Sequence, residues 1–161
     1  MAETFNHNVF IALGANLGQR EATLRDALVR LGRCEGISVE RVSSFIETDP
    51  VGGEAGQPMY INAAAQLRTS LNPRELLHVL LEIERQLGRI RPMGQRNAAR
   101  TIDLDLLLYD DLIVREPDLE IPHPRLHERR FVLVPLCELA PELSHPVLGK
   151  SMRELLLALA S

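Results

Sequence analysis

Two aspartates in the second half of the chain are placed to bind a divalent cation. Residues 100–109, RTIDLDLLLY, predict a buried β-strand. Side chains alternate along a strand, so Asp103 and Asp105 share one face, together with Leu107 and Tyr109. Their α-carbons lie about 7 Å apart on strand geometry, so both can reach one cation, or two cations beside a polyphosphate. Magnesium fits because it needs only one or two carboxylates from protein. A solvated sheet face is the alternative interpretation.

Four arginines lead into this strand through a segment that holds no acid. They are Arg89, Arg91, Arg96 and Arg100. A guanidinium fork can donate two hydrogen bonds to phosphate oxygens, so the arginines and aspartates together predict a polyphosphate and Mg²⁺ site. A solvated basic loop and a nucleic-acid patch are the alternatives. The net charge of -4 argues against broad nucleic-acid affinity.

Composition predicts one globular domain over residues 1–161. An apolar content of 45% and a charged content of 25% are ordinary for such proteins. Cys34 and Cys137 match neither a CxxC pair nor a metal-binding spacing, which indicates reduced thiols. The start of the chain has no basic segment followed by an apolar one, and no apolar run is long enough to cross a membrane. We therefore expect a cytoplasmic protein without membrane or nucleic-acid partners.

The periodicity of apolar residues predicts alternating strands and helices. The predicted strands are 9–13, 39–46, 60–68, 100–109 and a hairpin partner at 112–114. The predicted helices are 20–31, one from an Asn72 cap to about Leu87, and one at 151–159 that Ser151 and Glu154 cap. Gly88 is expected to end the second helix.

Several weaker signals have both a functional and a structural interpretation. The glycine-flanked turn 14–18 could cradle phosphate, although packing is the simpler role. The loop 47–58 holds two prolines and three glycines and is a candidate lid or ligand wall. Tyr60 and Asn62 could stack on and hydrogen-bond a flat heterocycle, or could be surface residues. Glu84 could orient an arginine or an ATP group, or could be a solvated helix charge.

Two motif-like patterns fail on inspection. His123 and His127 have a metal-like spacing, but Pro124 follows the first and no pattern completes a zinc site. Residues 149–151 match the end of a Walker motif whose first glycine is missing. His123, Arg125 and Arg129 are better interpreted as phosphate contacts.

Six segments in order resemble the 6-hydroxymethyl-7,8-dihydropterin pyrophosphokinase family of folate biosynthesis. They are IALGANLG at 11–18, TDPVG at 48–52, YINA at 60–63, Glu84 with GRIR at 88–91, RTIDLD at 100–105, and PHPR at 122–125 leading to RRFVL at 129–133. The resemblance extends from Val9 to about Met152. It implies an α+β, ferredoxin-like fold, an antiparallel sheet with helices packed on it. The implied reaction transfers pyrophosphate from ATP to the pterin hydroxymethyl group and releases AMP.

The resemblance also implies roles for individual residues. Asp103 and Asp105 would hold two Mg²⁺ ions, while Arg89 and Arg100 would stabilise the transferring group. The nucleotide would be bound by Glu84, Arg91, His123 and Arg129, and the pterin by Thr48, Asp49, Pro50, Val51, Tyr60, Asn62 and Phe131. The partners are thus small molecules, and we expect a monomer. No general base stands out; a metal-lowered hydroxyl pKa or one of the aspartates could remove the proton.

The chain departs from the family pattern at two places. Asn97-Ala98-Ala99 replaces an aromatic residue and Gly-Pro, which bears on loop closure, and Ile46 replaces a tyrosine. Two other functions remain open at this point. A nucleotidyltransferase or cyclase on the same fold would release pyrophosphate. A non-catalytic ligand-binding module would leave the aspartates and arginines without a shared purpose.

Overall fold

The computed structural model describes residues 6–15, 20–48, 60–89 and 102–159. The turn after residue 15, most of the proline- and glycine-rich loop and most of the arginine segment lie outside the described residues. The strands are β1 (His7–Ala15), β2 (Ile37–Val42), β3 (Ile46–Thr48), β4 (Tyr60–Thr69), β5 (Asp103–Tyr109), β6 (Val114–Glu116) and β7 (Leu119–Ile121). The helices are α1 (Arg20–Arg33), α2 (Pro73–Glu84), α3 (Arg130–Leu139) and α4 (Met152–Leu159), with a π-helical turn at Arg85–Arg89 and a 3-10 turn at Leu126–Glu128.

The main sheet is antiparallel and confirms the ferredoxin-like prediction. Its order is β2-β4-β1-β5, and β3 also pairs with β4. With α1 between β1 and β2 and α2 between β4 and β5, the chain follows the βαββαβ arrangement of that fold. The longest pairing joins β1 to β4 over nine consecutive residue pairs without a register shift.

Helices cover both faces of this sheet. On one face α1 and α2 enclose a core that includes Leu13, Leu24 and Leu80, all at most 1% exposed. On the other face α3 and α4 pack over a second core that includes Phe10 and Leu133. The second face is the one that carries the candidate site.

The predicted strand 39–46 is two strands, because the chain bends at Ser43. The Ser43 Oγ accepts a hydrogen bond from the backbone N–H of Ala64 at 2.8 Å. The side chain of Glu138 then accepts from both the backbone N–H and the hydroxyl of Ser44. The backbone N–H of Ser43 still donates to the backbone O of Ala64, but side chains accept the next hydrogen bonds, so the single-strand prediction was wrong at this point.

A β-bulge in β5 reverses part of the predicted side-chain alternation. Phe10 pairs with Leu108 and Ile11 pairs with Leu106, so Leu107 is the extra residue. The backbone O of Leu107 accepts from the N–H of His123 at 2.9 Å. Beyond the bulge, Leu108 joins the core under α3 and Tyr109 joins the opposite core. The prediction that Tyr109 shares a face with the two aspartates was therefore wrong.

The predicted hairpin partner of β5 belongs to a separate small sheet. β6 pairs with β7, not with β5. Arg74 at the start of α2 forms ion pairs with Glu116 and Asp118 across this hairpin. These contacts hold β6 and β7 beside α2, and the expected pairing to β5 was wrong.

The predicted helix ends agree with the structure. Asn72 and Glu75 form a reciprocal capping box at the start of α2. Gly88, with φ 108°, lies in the π-helical turn that follows α2. Ser151 and Glu154 cap α4 in the same reciprocal way. Among the described helices, none combines the length and apolar character that a membrane crossing requires.

Candidate active site

Two rows of residues cross three strands on the face covered by α3. One row runs from Asn62 on β4 through Gly14 on β1 to Asp103 on β5. The next row runs through Ala64, Ala12 and Asp105. Opposite residues in antiparallel strands share a face, so the two carboxylates project on the side that carries Asn62. The strand predicted from the sequence thus brings Asp103 into register with Asn62, a polar residue two strands away.

These rows form the floor of a cavity of about 530 Å³. Tyr60 and Asn62 line it, and so do Asp103 and Asp105. The wall comes from the start of α3 and the turn before it, including Phe131. This volume is within the range of small-molecule sites.

The structure brings together the three side chains expected to hold a pterin. Asn62 is 8% exposed, whereas Tyr60 and Phe131 are half-buried and offer ring surface to the cavity. Thr48 pairs with Tyr60 in the sheet, so its backbone lies beside this group. The other three predicted pterin contacts, Asp49, Pro50 and Val51, lie outside the described residues.

Gly14 leaves the space that the Asn62 amide occupies. A β-carbon built on Gly14 would lie 3.1 Å from Asn62 Oδ1. That is tighter than nine in ten real β-carbon contacts, so a larger residue would make the amide shift by a few tenths of an ångström. The sequence predicts Gly14 in a turn, but it is a residue of β1, and its place beside Asn62 follows only from the cross-strand register.

Asp103 and Asp105 suit a magnesium ion in number and placement. Both are half-buried and line the cavity. Nowhere in the described part of the chain could a group of three or more His, Cys, Asp or Glu side chains hold a metal ion. Two carboxylates are nevertheless enough for Mg²⁺, which takes its remaining ligands from water and substrate phosphates. The donor set therefore fits magnesium better than zinc, because zinc prefers the ring nitrogen of histidine and the thiolate sulfur of cysteine.

Glu84 is not a solvated helix charge. It is 2% exposed, and its Oε2 accepts a hydrogen bond from the backbone N–H of Leu104 at 2.7 Å. Leu104 separates the two aspartates in β5. The solvated alternative was wrong, while the predicted nucleotide contact stays a prediction.

His123 and Arg129 lie near the carboxylates. Burial lowers the pKa of His123, the Asp105 carboxylate partly opposes this by favouring the charged ring, and Arg129 lowers it further. The Arg129 guanidinium carbon lies 5.6 Å from the centre of the Phe131 ring, which is a cation-π arrangement. Both residues line the cavity. His123 itself lines a neighbouring cavity of about 340 Å³ with His127 and His145.

The arginines of the predicted phosphate site are only partly described. The backbone of Arg89 ends the π-helical turn after α2, and Arg91, Arg96 and Arg100 lie outside the described residues. Their predicted roles stay predictions.

Two further charged residues that line the cavity, Glu128 and Arg130, were not among the site residues predicted from the sequence. Glu128 lines the cavity and forms an ion pair with Arg125 at 3.6 Å. The three-residue spacing of these two charges was a usable signal for a helical turn.

Comparisons with known proteins identify the family of the chain. Residues 10–141 match the family model described as 7,8-dihydro-6-hydroxymethylpterin-pyrophosphokinase (HPPK). A Bacillus subtilis protein named 2-amino-4-hydroxy-6-hydroxymethyldihydropteridine pyrophosphokinase is 45% identical over 137 residues, 85% of this chain and 80% of that protein. A Synechocystis protein of the same name is 43% identical over 150 residues, 93% of this chain and 75% of that protein.

A solved structure supports the fold separately. The crystal structure of wild-type Plasmodium falciparum HPPK-DHPS superposes with a TM-score of 0.73 at 15% identity. The match covers 94% of this chain but 44% of that longer chain, so it bears on the fold alone.

Proposed function

The chain belongs to the 7,8-dihydro-6-hydroxymethylpterin-pyrophosphokinase family and transfers pyrophosphate from ATP to 6-hydroxymethyl-7,8-dihydropterin, and we propose that it does so in the cavity between the sheet and α3. The products are AMP and the pterin diphosphate, so the reaction is a step of folate synthesis. The pterin hydroxymethyl oxygen attacks the β-phosphorus of ATP, and the bond from that phosphorus to the AMP oxygen breaks. Family membership favours this reaction over nucleotidyl transfer, which would release pyrophosphate.

The pterin lies at the Asn62 end of the cavity. The rings of Tyr60 and Phe131 stack on its two faces, while the Asn62 amide bonds its polar edge. Because Asn62 is buried, a heterocycle whose donors and acceptors do not match its amide would bind less well, and this gives selectivity. The backbone around Thr48 and Asp49 completes the wall.

The nucleotide's phosphates lie at the Asp103 end. Asp103 and Asp105 would hold magnesium, two ions as expected for the family, through their carboxylate oxygens. When bound, magnesium neutralises charge on the phosphates and orients them. Arg91, His123 and Arg129 bind the nucleotide phosphates. A neutral His123 ring, favoured by the lowered pKa, can donate one N–H to a phosphate oxygen while its Nδ1 accepts from the Arg125 backbone N–H.

Two arginines stabilise the group in transfer. Arg89 and Arg100 flank the segment between α2 and β5, and their guanidiniums match the oxygens of a phosphoryl group. Such transfer asks mainly for alignment and charge neutralisation, which cations and arginines supply. One of the aspartates, or a lowered pKa of the substrate hydroxyl, accounts for loss of its proton.

The observation that carries the proposal is the cross-strand row from Asn62 to Asp103. It joins a group suited to a heterocycle and a group suited to a phosphate-bound cation in one cavity.

The test is identification of the nucleotide product. Protein, ATP, Mg²⁺ and 6-hydroxymethyl-7,8-dihydropterin are incubated, and the nucleotides are separated by chromatography. AMP that forms only with pterin present supports the proposal, whereas ADP, pyrophosphate or no turnover would contradict it. Asp103→Asn should remove turnover, and the exposed Asp111→Asn, just past the end of the same strand, is the matched control that should not.

We also propose that the chain is a single-domain monomer in the cytoplasm. Cys34 and Cys137 are both free thiols, as expected in a reducing compartment. Light scattering coupled to size exclusion checks the mass against 18.0 kDa, and a dimer mass would contradict the monomer.

A further inference from the structure

The buried carboxylate of Glu84 touches the backbone between the two candidate metal ligands. Glu84 is the last residue of α2, and Leu104 is the second residue of β5. Their hydrogen bond of 2.7 Å is buried. Leu104 is flanked by Asp103 and Asp105. A contact that holds the Leu104 peptide therefore also fixes the backbone from which both carboxylate side chains extend.

β5 needs a partner on this side because it is the last strand of the sheet. β1 pairs with one of its edges, and α2 packs near the other. Backbone N–H groups on an outer edge must be satisfied by something other than a strand. A buried N–H that loses its acceptor is unfavourable, so without Glu84 the start of β5 would move to find another.

The hydrogen bond between Glu84 and Leu104 also joins the two ends of the segment that leads from α2 to β5. Gly88, with φ 108°, turns the chain within five residues after Glu84. Ile102, 0% exposed, anchors the chain again just before the strand. Glu84 therefore connects the point where this segment leaves the helix with the point where it enters the sheet.

We infer that Glu84 is a positioning residue for the cation site. It sets the placement of Asp103 and Asp105 through the Leu104 backbone, and this role replaces the nucleotide contact expected from the sequence, so that Glu84 touches neither nucleotide nor cation. This inference rests on the proposed function, because it assumes that the two aspartates hold magnesium. Groups that orient metal ligands from behind commonly change metal affinity or activity when they are removed.

Three variants test the inference. Glu84→Ala removes the acceptor, Glu84→Gln keeps a carbonyl oxygen in its place, and Glu82→Ala removes an exposed glutamate from the same helix as a control. In Glu84→Ala, the Mg²⁺ concentration for half-maximal AMP formation should rise about 10- to 100-fold, while pterin affinity is unchanged. Glu84→Gln and Glu82→Ala should stay close to wild type.

Amide hydrogen exchange gives a readout that needs no turnover. In the ligand-free protein, the Leu104 amide should exchange faster in Glu84→Ala than in wild type, and should stay protected in Glu84→Gln and Glu82→Ala. A protected Leu104 amide with wild-type Mg²⁺ dependence in Glu84→Ala would overturn the inference. So would a Glu84→Gln variant that loses nucleotide affinity in the absence of Mg²⁺, because that result places Glu84 on the nucleotide.

The inference and the proposed function fail separately. If Glu84→Ala does not fold, Glu84→Gln decides: normal Mg²⁺ dependence supports positioning, and a large loss contradicts it. If the wild-type protein forms no AMP, the proposed function fails, while Leu104 exchange still decides whether Glu84 holds β5.

Discussion

Gly14→Ala should weaken pterin binding while making the protein no less stable. The new β-carbon would lie 3.1 Å from Asn62 Oδ1 and 3.8 Å from the backbone O of Ile61. Gly14 does not have a positive φ, so alanine can adopt its backbone conformation. The substitution therefore displaces one amide without straining the strand.

The size of the effect follows from that displacement. The amide must move by a few tenths of an ångström, and Asn62 is only 8% exposed, so it has little room to recover. Loss of one hydrogen bond costs about 0.5–1.5 kcal/mol, which corresponds to a rise in pterin Kd of about two- to tenfold. Replacing glycine by alanine at a compatible position contributes about 0.4–1 kcal/mol to the free energy of unfolding.

Titration calorimetry with the pterin and urea unfolding measure the two quantities. Gly32→Ala on α1 is the matched control, because a β-carbon there has nothing within 4 Å and should leave pterin Kd unchanged. An unaltered pterin Kd in Gly14→Ala would refute the role of Asn62 or the tightness of its contact. An equal loss in Gly32→Ala would show that the effect is not local.

Three further substitutions test other parts of the site and fold. Phe131→Ala should raise pterin Kd by at least about two- to tenfold, since an aromatic pair contributes about 0.5–1.5 kcal/mol beyond its buried area; an unchanged Kd by calorimetry would exclude stacking. Arg100→Ala should lower kcat far more than pterin affinity in steady-state and binding assays; equal losses would argue against transition-state stabilisation. His145 has a pKa lowered mainly by burial, and its Nδ1 accepts from the N–H groups of Val147 and Leu148, so protonation is disfavoured in the fold. The unfolded chain then binds more protons, and stability is lost as pH falls below about 6.5; His145→Asn should flatten this loss in urea titrations at pH 7.5 and 5.5.

Local signals predicted most of the fold because they act over a few residues. The Asn72 capping box and the alternating pattern around Tyr60 depend only on near neighbours, and both elements form where expected. The failures involve partners distant in sequence. The break at Ser43 depends on contacts with Ala64 and Glu138, and no residue near Ser43 in the sequence indicates these contacts.

The candidate site shows the same division. Asp103 and Asp105 could be placed on one face because alternation holds up to the bulge at Leu107. The bulge itself, and with it the reversal at Tyr109, depends on contacts with β1 and His123. The burial of Glu84 could not be predicted either, since its position on α2 fits a flank as well as a buried face, and Leu104 lies 20 residues away.

The unbroken register of β1 with β4 fixes the distance between paired residues on different strands of the sheet. Neighbouring strands are spaced by about 4.8 Å, so two steps separate the α-carbons of Asn62 and Asp103 by about 10 Å. Backbone pairing sets this length, and the bulge between Phe10 and Ile11 lies farther along β1, away from the measured interval. With pterin at Asn62 and phosphates at Asp103, as we propose, we expect this backbone distance to select against a pterin whose hydroxyl stands one carbon farther from the ring, and we expect substitutions in the cavity wall to leave that selectivity unchanged.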